Sequence, residues 1–417
     1  MIYDLIVVGG GAAGFYGAIQ LASSRPGLNI LILEKTSKLL SKVKVSGGGR
    51  CNVTHHIDNP FQLARHYPRG ERSLKSLFKV YNARDVIDWF ASKNVELKVE
   101  ADGRMFPVSD NSMTIVNCFL EEASRLKIRI QTGESVSKVE IGANGFILST
   151  QNESRFETRK ILIATGGSAN AGSYEWIHSL GHKINHPIPS LFTFNDGEKR
   201  FADLMGISVP EAEIKIQATR LMGRGPLLIT HWGLSGPAII KLSAWAASHL
   251  YDVSYKFDVS VNWVGVPVEG CRAQLLESKD VRSRQKITSN PMFALPQRLW
   301  QRLCELSDIQ TDRIWGEASN KEINRLCEHL VHTVFHINGK TTFKEEFVTC
   351  GGVDLTEINL STMESKLVPD VYFAGEVLHI DGETGGFNFQ SAWTTGYVAA
   401  QGIAEPSQST GVSNVSD

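Results

Sequence analysis

The chain has 417 residues, 42% hydrophobic and 21% charged, which is more than one hydrophobic core usually fills and lies in the range of soluble globular proteins. No apolar run reaches the roughly 18 residues that a membrane span needs, so no membrane partner is expected. With 43 basic against 44 acidic residues the formal net charge is −1; no global field gathers phosphate backbones and no nucleic acid partner is expected, although net charge is silent about a local patch.

The chain opens on an apolar strand, IYDLIVVGG, without the basic stretch, apolar core and small-residue cleavage site of a secretory signal. A cytoplasmic location is expected. Gly9 to Gly14 follow as G-x-G-x-x-G, and FYGAIQLASS reads as a helix, so the motif stands in the strand, turn and helix context that gives it meaning. Gly9 allows the tight turn, Gly11 lets a pyrophosphate approach the backbone, and Gly14 lets helix and strand pack closely. A second strand, Asn29 to Leu33, delivers Glu34 twenty residues after Gly14. There an acid would bond ribose hydroxyls and repel a 2′-phosphate, which suits FAD or NAD.

Residues 45 to 52 read VSGGGRCN and follow Lys35, Lys38, Lys42 and Lys44. Consecutive backbone N–H groups at Gly47, Gly48 and Gly49 can form an anion-binding nest, and Arg50 can add charge-assisted hydrogen bonds. The competing reading is a surface loop with solvated lysines. Asn52 would position a ring or hold the loop, and Cys51, for which no base partner can be named, reads as a small packed residue. His55 and His56 read as loop caps. Six cysteines, at 51, 118, 271, 304, 327 and 350, form no C-x-x-C pair and no zinc-ligand spacing, so no metal is expected.

Further along, KVEIGANGFILSTQ reads as a hairpin turning at Asn144-Gly145. Strand 160 to 163 ends in Ala164-Thr165-Gly166-Gly167, a small-residue exit suited to close approach by a ligand. The dense loop His231 to Pro237 is a candidate substrate cover or a structural turn. Its G-L-S-G is too loose for a hydrolase elbow. Asp370 to Glu376 forms a strand running into a glycine turn, and GETGGFNFQSAWTTGYVAAQ reads as a second glycine loop entering a helix. The N-terminus of such a helix, aimed at a flavin, would stabilise negative charge there.

VVGGGAAG, VSGGGRCN, ILIATGG, THWGLSGPA and YFAGEVLHIDGETGGFNFQSAW, in this order, resemble the aminoacetone-oxidase-like, BaiN-like family of bacterial FAD-binding flavoproteins. The resemblance runs from residue 4 to about residue 400. It implies an α/β fold: a Rossmann-like FAD-binding domain of the glutathione-reductase type, interrupted by an insert with a β-rich, barrel-like part and a small helical part. The boundaries expected are 1–190 plus 350–405 for the FAD-binding domain, 191–270 plus 336–349 for the β-rich insert, 271–335 for the helical insert and 406–417 for a disordered tail. Runs such as EIKIQATRL and YKFDVSVNW suit the β-rich part; PQRLWQRLCELS and NKEINRLCEHLVHTVF suit the helical part.

Carried over residue by residue, the resemblance assigns FAD contacts to Gly9, Gly11, Ala12, Ala13, Gly14, Glu34, Lys35, Ser46, Gly47, Gly48, Gly49, Arg50, Cys51, Asn52, Ala164, Thr165, Gly166, Gly375, Glu376, Gly386, Phe387, Asn388, Phe389 and Gln390. The sequence departs from the family in the shorter stretch after ATGG and at His379, where many relatives carry an acid. His379 is the candidate catalytic group, as proton donor or substrate contact. The implied activity is hydride transfer between flavin N5 and a small organic substrate, an amine or a conjugated enone, or NAD(P)H. A flavin-dependent RNA-modifying or RNA-binding protein and a non-catalytic flavin-binding regulator are the alternatives. No second G-x-G-x-x-G unit follows between residues 190 and 340, so NAD(P)H is expected to bind transiently at the flavin face.

Overall fold

The computed structural model describes residues 1–342 and 348–405. The expected disordered tail, 406–417, lies outside them. The described residues divide into two compact units, one within Met1–Pro189 and Lys344–Asp417, the other within Ser190–Phe343.

The first unit is built on strands β1 (Ile2–Val8), β2 (Ile30–Glu34), β3 (Arg129–Thr132), β4 (Arg155–Ile163) and β5 (Val371–Phe373). They lie in the order β5-β4-β1-β2-β3 and are parallel throughout. Leu5, Ile6, Val7 and Ile32 are fully buried, because parallel strands covered on both faces become continuous apolar runs. Helix α1 (Ala12–Ser24) follows β1 directly, and the long helix α5 (Phe387–Ala404) packs on α1 where glycines meet. A Cβ at Gly396 would lie 2.9 Å from the Ala13 carbonyl oxygen, so neither helix tolerates a side chain at the crossing.

Register decides what this sheet presents. Val8 pairs with Leu33 and with Ile163, and Ile163 pairs with Phe373. The carboxyl ends of four strands therefore lie side by side, and the segments that leave them, Gly9 to Gly14, Glu34, Ala164 to Gly166 and Gly375-Glu376, gather at one edge. Open α/β sheets bind ligands at this edge.

Before β3 come three helices that bear on the site: α2 (Ser41–Gly49), α3 (Pro60–Ala64) and α4 (Glu71–Val80). The hairpin is present, but Gly142 pairs with Gly145, so its two turn residues are Ala143-Asn144 and not Asn144-Gly145. Gly145 lies in the strand, where a Cβ would overlap the Thr158 carbonyl oxygen.

The second unit holds a closed antiparallel barrel of strands Thr193–Asp196, Gly233–Ser235, Met222–Ile229, Ser208–Ile216, Lys256–Asn262 and Thr333–Thr341, in that order. Helices Pro237–Asp252, Val268–Val281, Gln297–Leu306 and Asn320–Val331 accompany it. The first of these lies in a stretch read as β-rich. The last stops at Val331, so the end of the run NKEINRLCEHLVHTVF enters a barrel strand and is not helical. Trp300 and Trp315 are fully buried among the helices and Trp263 is nearly so.

Candidate cofactor site

The turn after β1 contains three glycines of different kinds. At Gly9, with φ +119°, a Cβ would overlap the Ala164 carbonyl oxygen, and at Gly14 it would overlap the Gly9 carbonyl oxygen. Both are fixed by the protein's own packing. Gly11 has an extended backbone, φ −98° and ψ −167°, and a Cβ there would meet nothing within 4 Å. Neither conformation nor packing demands glycine at this position, which caps α1 with no side-chain hydrogen bond and no acid in the first turn. The N–H groups of Ala12, Ala13 and Gly14 begin a helix whose end is open to an anion.

Glu34 is half-buried beside this turn. Its Oε2 accepts from the Gly10 N–H at 2.9 Å, and its Oε1 accepts from both the N–H and the hydroxyl of Thr36 at 2.9 Å. The carboxylate thus holds the glycine turn in place and keeps acceptor capacity for a further donor. Lys35 is exposed.

The VSGGGRCN stretch ends α2. The helix breaks at Ser46, and Gly47, Gly48 and Gly49 take φ +59°, +68° and +84°. Three successive residues of positive φ make a left-handed turn, and the change of hand that forms a nest comes where Gly49 meets Arg50, at φ −96° and ψ −19°. Gly47 is packed, since a Cβ would lie 2.9 Å from the Phe106 ring, whereas nothing lies within 4 Å of one at Gly48 or Gly49. Arg50 turns elsewhere: its Nη1 donates to Glu100 Oε1 at 2.6 Å and its guanidinium lies 4.0 Å from the centroid of the Phe106 ring. The Glu100 hydrogen bond raises its pKa. Cys51 is fully buried, and burial pushes its thiol up to about 12, which leaves it inert. Asn52, oriented to satisfy its amide, donates to the Thr54 carbonyl oxygen at 3.0 Å and accepts from the Gly386 N–H at 3.0 Å. It ties this loop to the start of α5.

Beyond β4, Ala164 is buried while Thr165 is exposed and Gly166 turns at φ +73° with nothing near its Cβ position. Beyond β5, Gly375 lies against α1, where a Cβ would be 2.8 Å from that of Ala13. Glu376 accepts from Lys42 Nζ at 2.6 Å and from the Thr349 N–H at 2.8 Å. The residues entering α5 divide by role. Gly386 caps the helix at φ +92° without a side-chain bond. Phe387 is buried and stacks on His66, with ring centroids 4.3 Å apart, and on His55. Asn388 closes the 382–386 loop by accepting from the Gly382 N–H at 2.8 Å and donating to the Gly382 carbonyl oxygen at 3.0 Å. Phe389 stacks on Trp393, and Gln390, fully buried, accepts from the Thr54 hydroxyl at 2.5 Å. Side chains 387, 388 and 390 therefore build the loop.

His379 lies between the parallel bridge of Leu378 to Val353 and the buried pair of Asp381 with Arg69. Burial lowers its pKa; Asp381 opposes this and Arg69 adds to it. Its Nδ1 is buried without a hydrogen-bond partner among the described residues. The sequence did not disclose the Lys42–Glu376 pair, the Arg69–Asp381 pair or the His55–Phe387–His66 stack, since each joins residues about 300 or more apart. No local signal marks such pairs. The His231-Trp232 turn joins two barrel strands, and Trp232 donates to the Thr193 hydroxyl. All six cysteines are buried free thiols, and no metal-ligating cluster occurs among the described residues. No helix among them is long and apolar enough to cross a membrane.

The family model described as the HI0933-like protein Rossmann domain matches residues 3–402. The chain is similar to a 3-dehydro-bile acid delta(4,6)-reductase of Clostridium scindens, 27% identical over 96% of this chain and 98% of the relative. It is also similar to a ribosomal RNA dihydrouridine synthase of Haemophilus influenzae, 28% identical with the same shares covered. Among solved structures, a 3-ketosteroid-delta4-(5alpha)-dehydrogenase from Rhodococcus jostii RHA1 aligns with a TM-score of 0.51 at 13% identity over 97% of both chains, a likeness of fold alone. A Rossmann sheet with an open glycine turn at its carboxyl edge and a family match over nearly the whole chain lead to one conclusion: this chain belongs to the HI0933-like family, a Rossmann family of FAD-dependent oxidoreductases.

Proposed function

We propose that the chain is an FAD-dependent reductase of a carbon–carbon double bond conjugated with a carbonyl. The observation that carries the cofactor assignment is Gly11, a glycine that neither its backbone angles nor its protein neighbours require. A pyrophosphate seated on the end of α1 supplies the missing reason. Glu34 is placed to accept from ribose hydroxyls and would repel a 2′-phosphate. The N–H groups of Gly48 and Gly49 and the exit at Gly166 offer backbone to the rest of the ligand. The uncapped end of α5 favours negative charge on a ring held there.

FAD, when bound, supplies the hydride chemistry; the protein orients and shields it. The reaction class follows from what two relatives' names have in common: a 3-dehydro delta(4,6) steroid and the uracil of uridine both carry a C=C bond conjugated with C=O. His379 is the chain's candidate group toward such a substrate. Its lowered pKa keeps the ring neutral at neutral pH, and it becomes a cationic proton donor only below that pKa. Every strand pairing in the barrel is antiparallel, which offers no parallel β-α-β seat for a second dinucleotide. Reduction by NADH or NADPH is accordingly expected to be slow and weakly saturating.

The test begins with the absorbance spectrum of the purified protein, which should show bound oxidised flavin. After anaerobic reduction, 2-cyclohexen-1-one should reoxidise it and cyclohexanone should not. Reoxidation by dioxygen alone, with no conjugated compound accepted, or reduction of the flavin by simple amines would replace this reading with an oxidase.

A further inference from the structure

We propose that His66, held by Glu383, is the acid that gives a proton to the α-carbon when the conjugated double bond is reduced. This rests on the reading of the chain as a reductase of conjugated carbonyl compounds.

That reduction needs a hydride and a proton. The hydride, supplied by reduced flavin with its electron pair, goes to the β-carbon, and the π electrons of the C=C bond move onto the carbonyl oxygen as an enolate. The α-carbon then takes a proton as the C=O bond re-forms, so the flavin is oxidised and the substrate reduced by one electron pair. The proton has to come from an acid.

Most groups around segment 379–386 are unsuited to give it. His379 is kept neutral at neutral pH by burial, and a neutral imidazole is a poor acid. Tyr67 is fully buried, its hydroxyl donates to the Phe387 carbonyl oxygen at 2.6 Å, and burial raises its pKa well above the ordinary phenol value. Arg69 binds Asp381 through both Nε and Nη2, and a guanidinium does not release its proton. His55 has Nδ1 3.0 Å from the Gly385 carbonyl oxygen and Nε2 against Gly103, where a Cβ would lie 2.6 Å away.

His66 differs in each respect. Its Nδ1 lies 3.1 Å from Glu383 Oε2, and its side chain is 33% exposed where that of Glu383 is 12% exposed. An imidazolium carries an N–H on each nitrogen. The carboxylate accepts from Nδ1 and stabilises the cation, the part a buried acid plays beside an acid–base histidine. Nε2 makes no hydrogen bond with a described residue and is the nitrogen that can release a proton. After the transfer the neutral ring keeps its Nδ1–H on Glu383, and solvent reprotonates Nε2.

The ring is also held in place. It lies 8° from parallel to Phe387, with centroids 4.3 Å apart, and Phe387 opens α5, whose uncapped end favours negative charge such as that of an enolate oxygen. The Glu383 N–H donates to the His66 carbonyl oxygen at 2.9 Å, so His66 and the 382–386 loop are joined through backbone and side chain alike. An ordinary surface ion pair would leave the imidazole plane unfixed, whereas here the stack sets the plane and the carboxylate sets the nitrogen.

The test uses FAD-loaded protein, photoreduced without oxygen and mixed with 2-methyl-2-cyclohexen-1-one or with ferricyanide, which takes electrons and needs no proton on carbon. In H66Q, reoxidation by the enone should slow at least about a hundredfold, while reoxidation by ferricyanide should match the parent. The parent's 2-methylcyclohexanone should be enriched in one enantiomer, because its stereocentre is the protonated carbon, and the product of H66Q should be racemic. E383Q, which leaves Nδ1 a partner without charge, should show the same selective loss to a smaller extent, and it decides the matter where H66Q loses FAD. In the oxidised holoprotein the His66 ring resonance, identified by its change in E383Q, should move when 2-methylcyclohexanone is added. Equal slowing with both oxidants, racemic product from the parent, enantiomeric excess kept in the variants, or a resonance indifferent to the ketone would each overturn the proposal. A parent that no conjugated enone reoxidises would refute the reductase reading, whereas variants that reduce the enone at the parent's rate would refute only the acid.

Discussion

The glycines after β1 and those that end α2 look alike in sequence and are constrained differently. Gly9 and Gly14 are locked by backbone oxygens that a Cβ would overlap, while Gly11 faces open space at an ordinary φ. In the second segment Gly47 is packed on Phe106, and Gly48 and Gly49 face open space but require positive φ. A glycine can thus be demanded by the fold, by the backbone or by neither, and the third kind points to a ligand. Arg50 supports the same distinction from the opposite side, because the residue whose charge most suggested a ligand is engaged by Glu100 and Phe106.

Substitutions can separate these constraints. Gly14→Ala, which sets a methyl on the Gly9 carbonyl, should destabilise the unit by about 3 kcal/mol or more, read by urea denaturation. A near-neutral result would mean that the β1–α1 junction is looser than described. Gly48→Ala should cost about 1–2 kcal/mol, because only the left-handed backbone resists it, and should weaken FAD binding as well. Unchanged FAD affinity would remove the nest from the site.

His379 gives a smaller, pH-dependent effect. Its folded pKa is lowered by burial. The neutral ring therefore stabilises the fold fully above its unfolded value of about 6.5, and that contribution is lost as pH falls through the lowered value. His379→Asn should flatten stability between about pH 6.5 and the acid limb, leave FAD bound, and alter the pH profile of enone reduction. A profile identical to the parent's would leave His379 without a role toward substrate. Arg50→Ala should change FAD affinity least, by less than roughly fivefold, as expected when a partly exposed pair is lost. A large loss would show that the guanidinium leaves Glu100 for the cofactor.

The parts legible in the sequence are those whose signal is local. An apolar strand followed by G-x-G-x-x-G, a helix and an acid on the next strand specifies β1, α1 and β2 within 34 residues. Helix Pro237–Asp252 carried its own start signal, a proline in the first turn after a glycine, and was masked by the turn-like GLSG before it. The hairpin turn was misplaced by one residue because Asn-Gly is the usual turn pair, whereas Gly145 is needed where the strand meets Thr158. Arg50 and His379 could not be read locally: the partners of Arg50 lie 50 and 60 residues on, and the surroundings of His379 come from Gly351, Asp381 and Arg69.

The most direct test of the central claim is the flavin content of Gly11→Val. A Cβ at residue 11 meets no protein atom within 4 Å and needs no unusual backbone, so the variant should fold with the parent's circular dichroism and denaturation midpoint. The parent should carry one FAD per chain, and the variant should be colourless. A folded Gly11→Val with stoichiometric FAD would contradict the placement of the pyrophosphate, and with it the assignment of this glycine turn as the cofactor site.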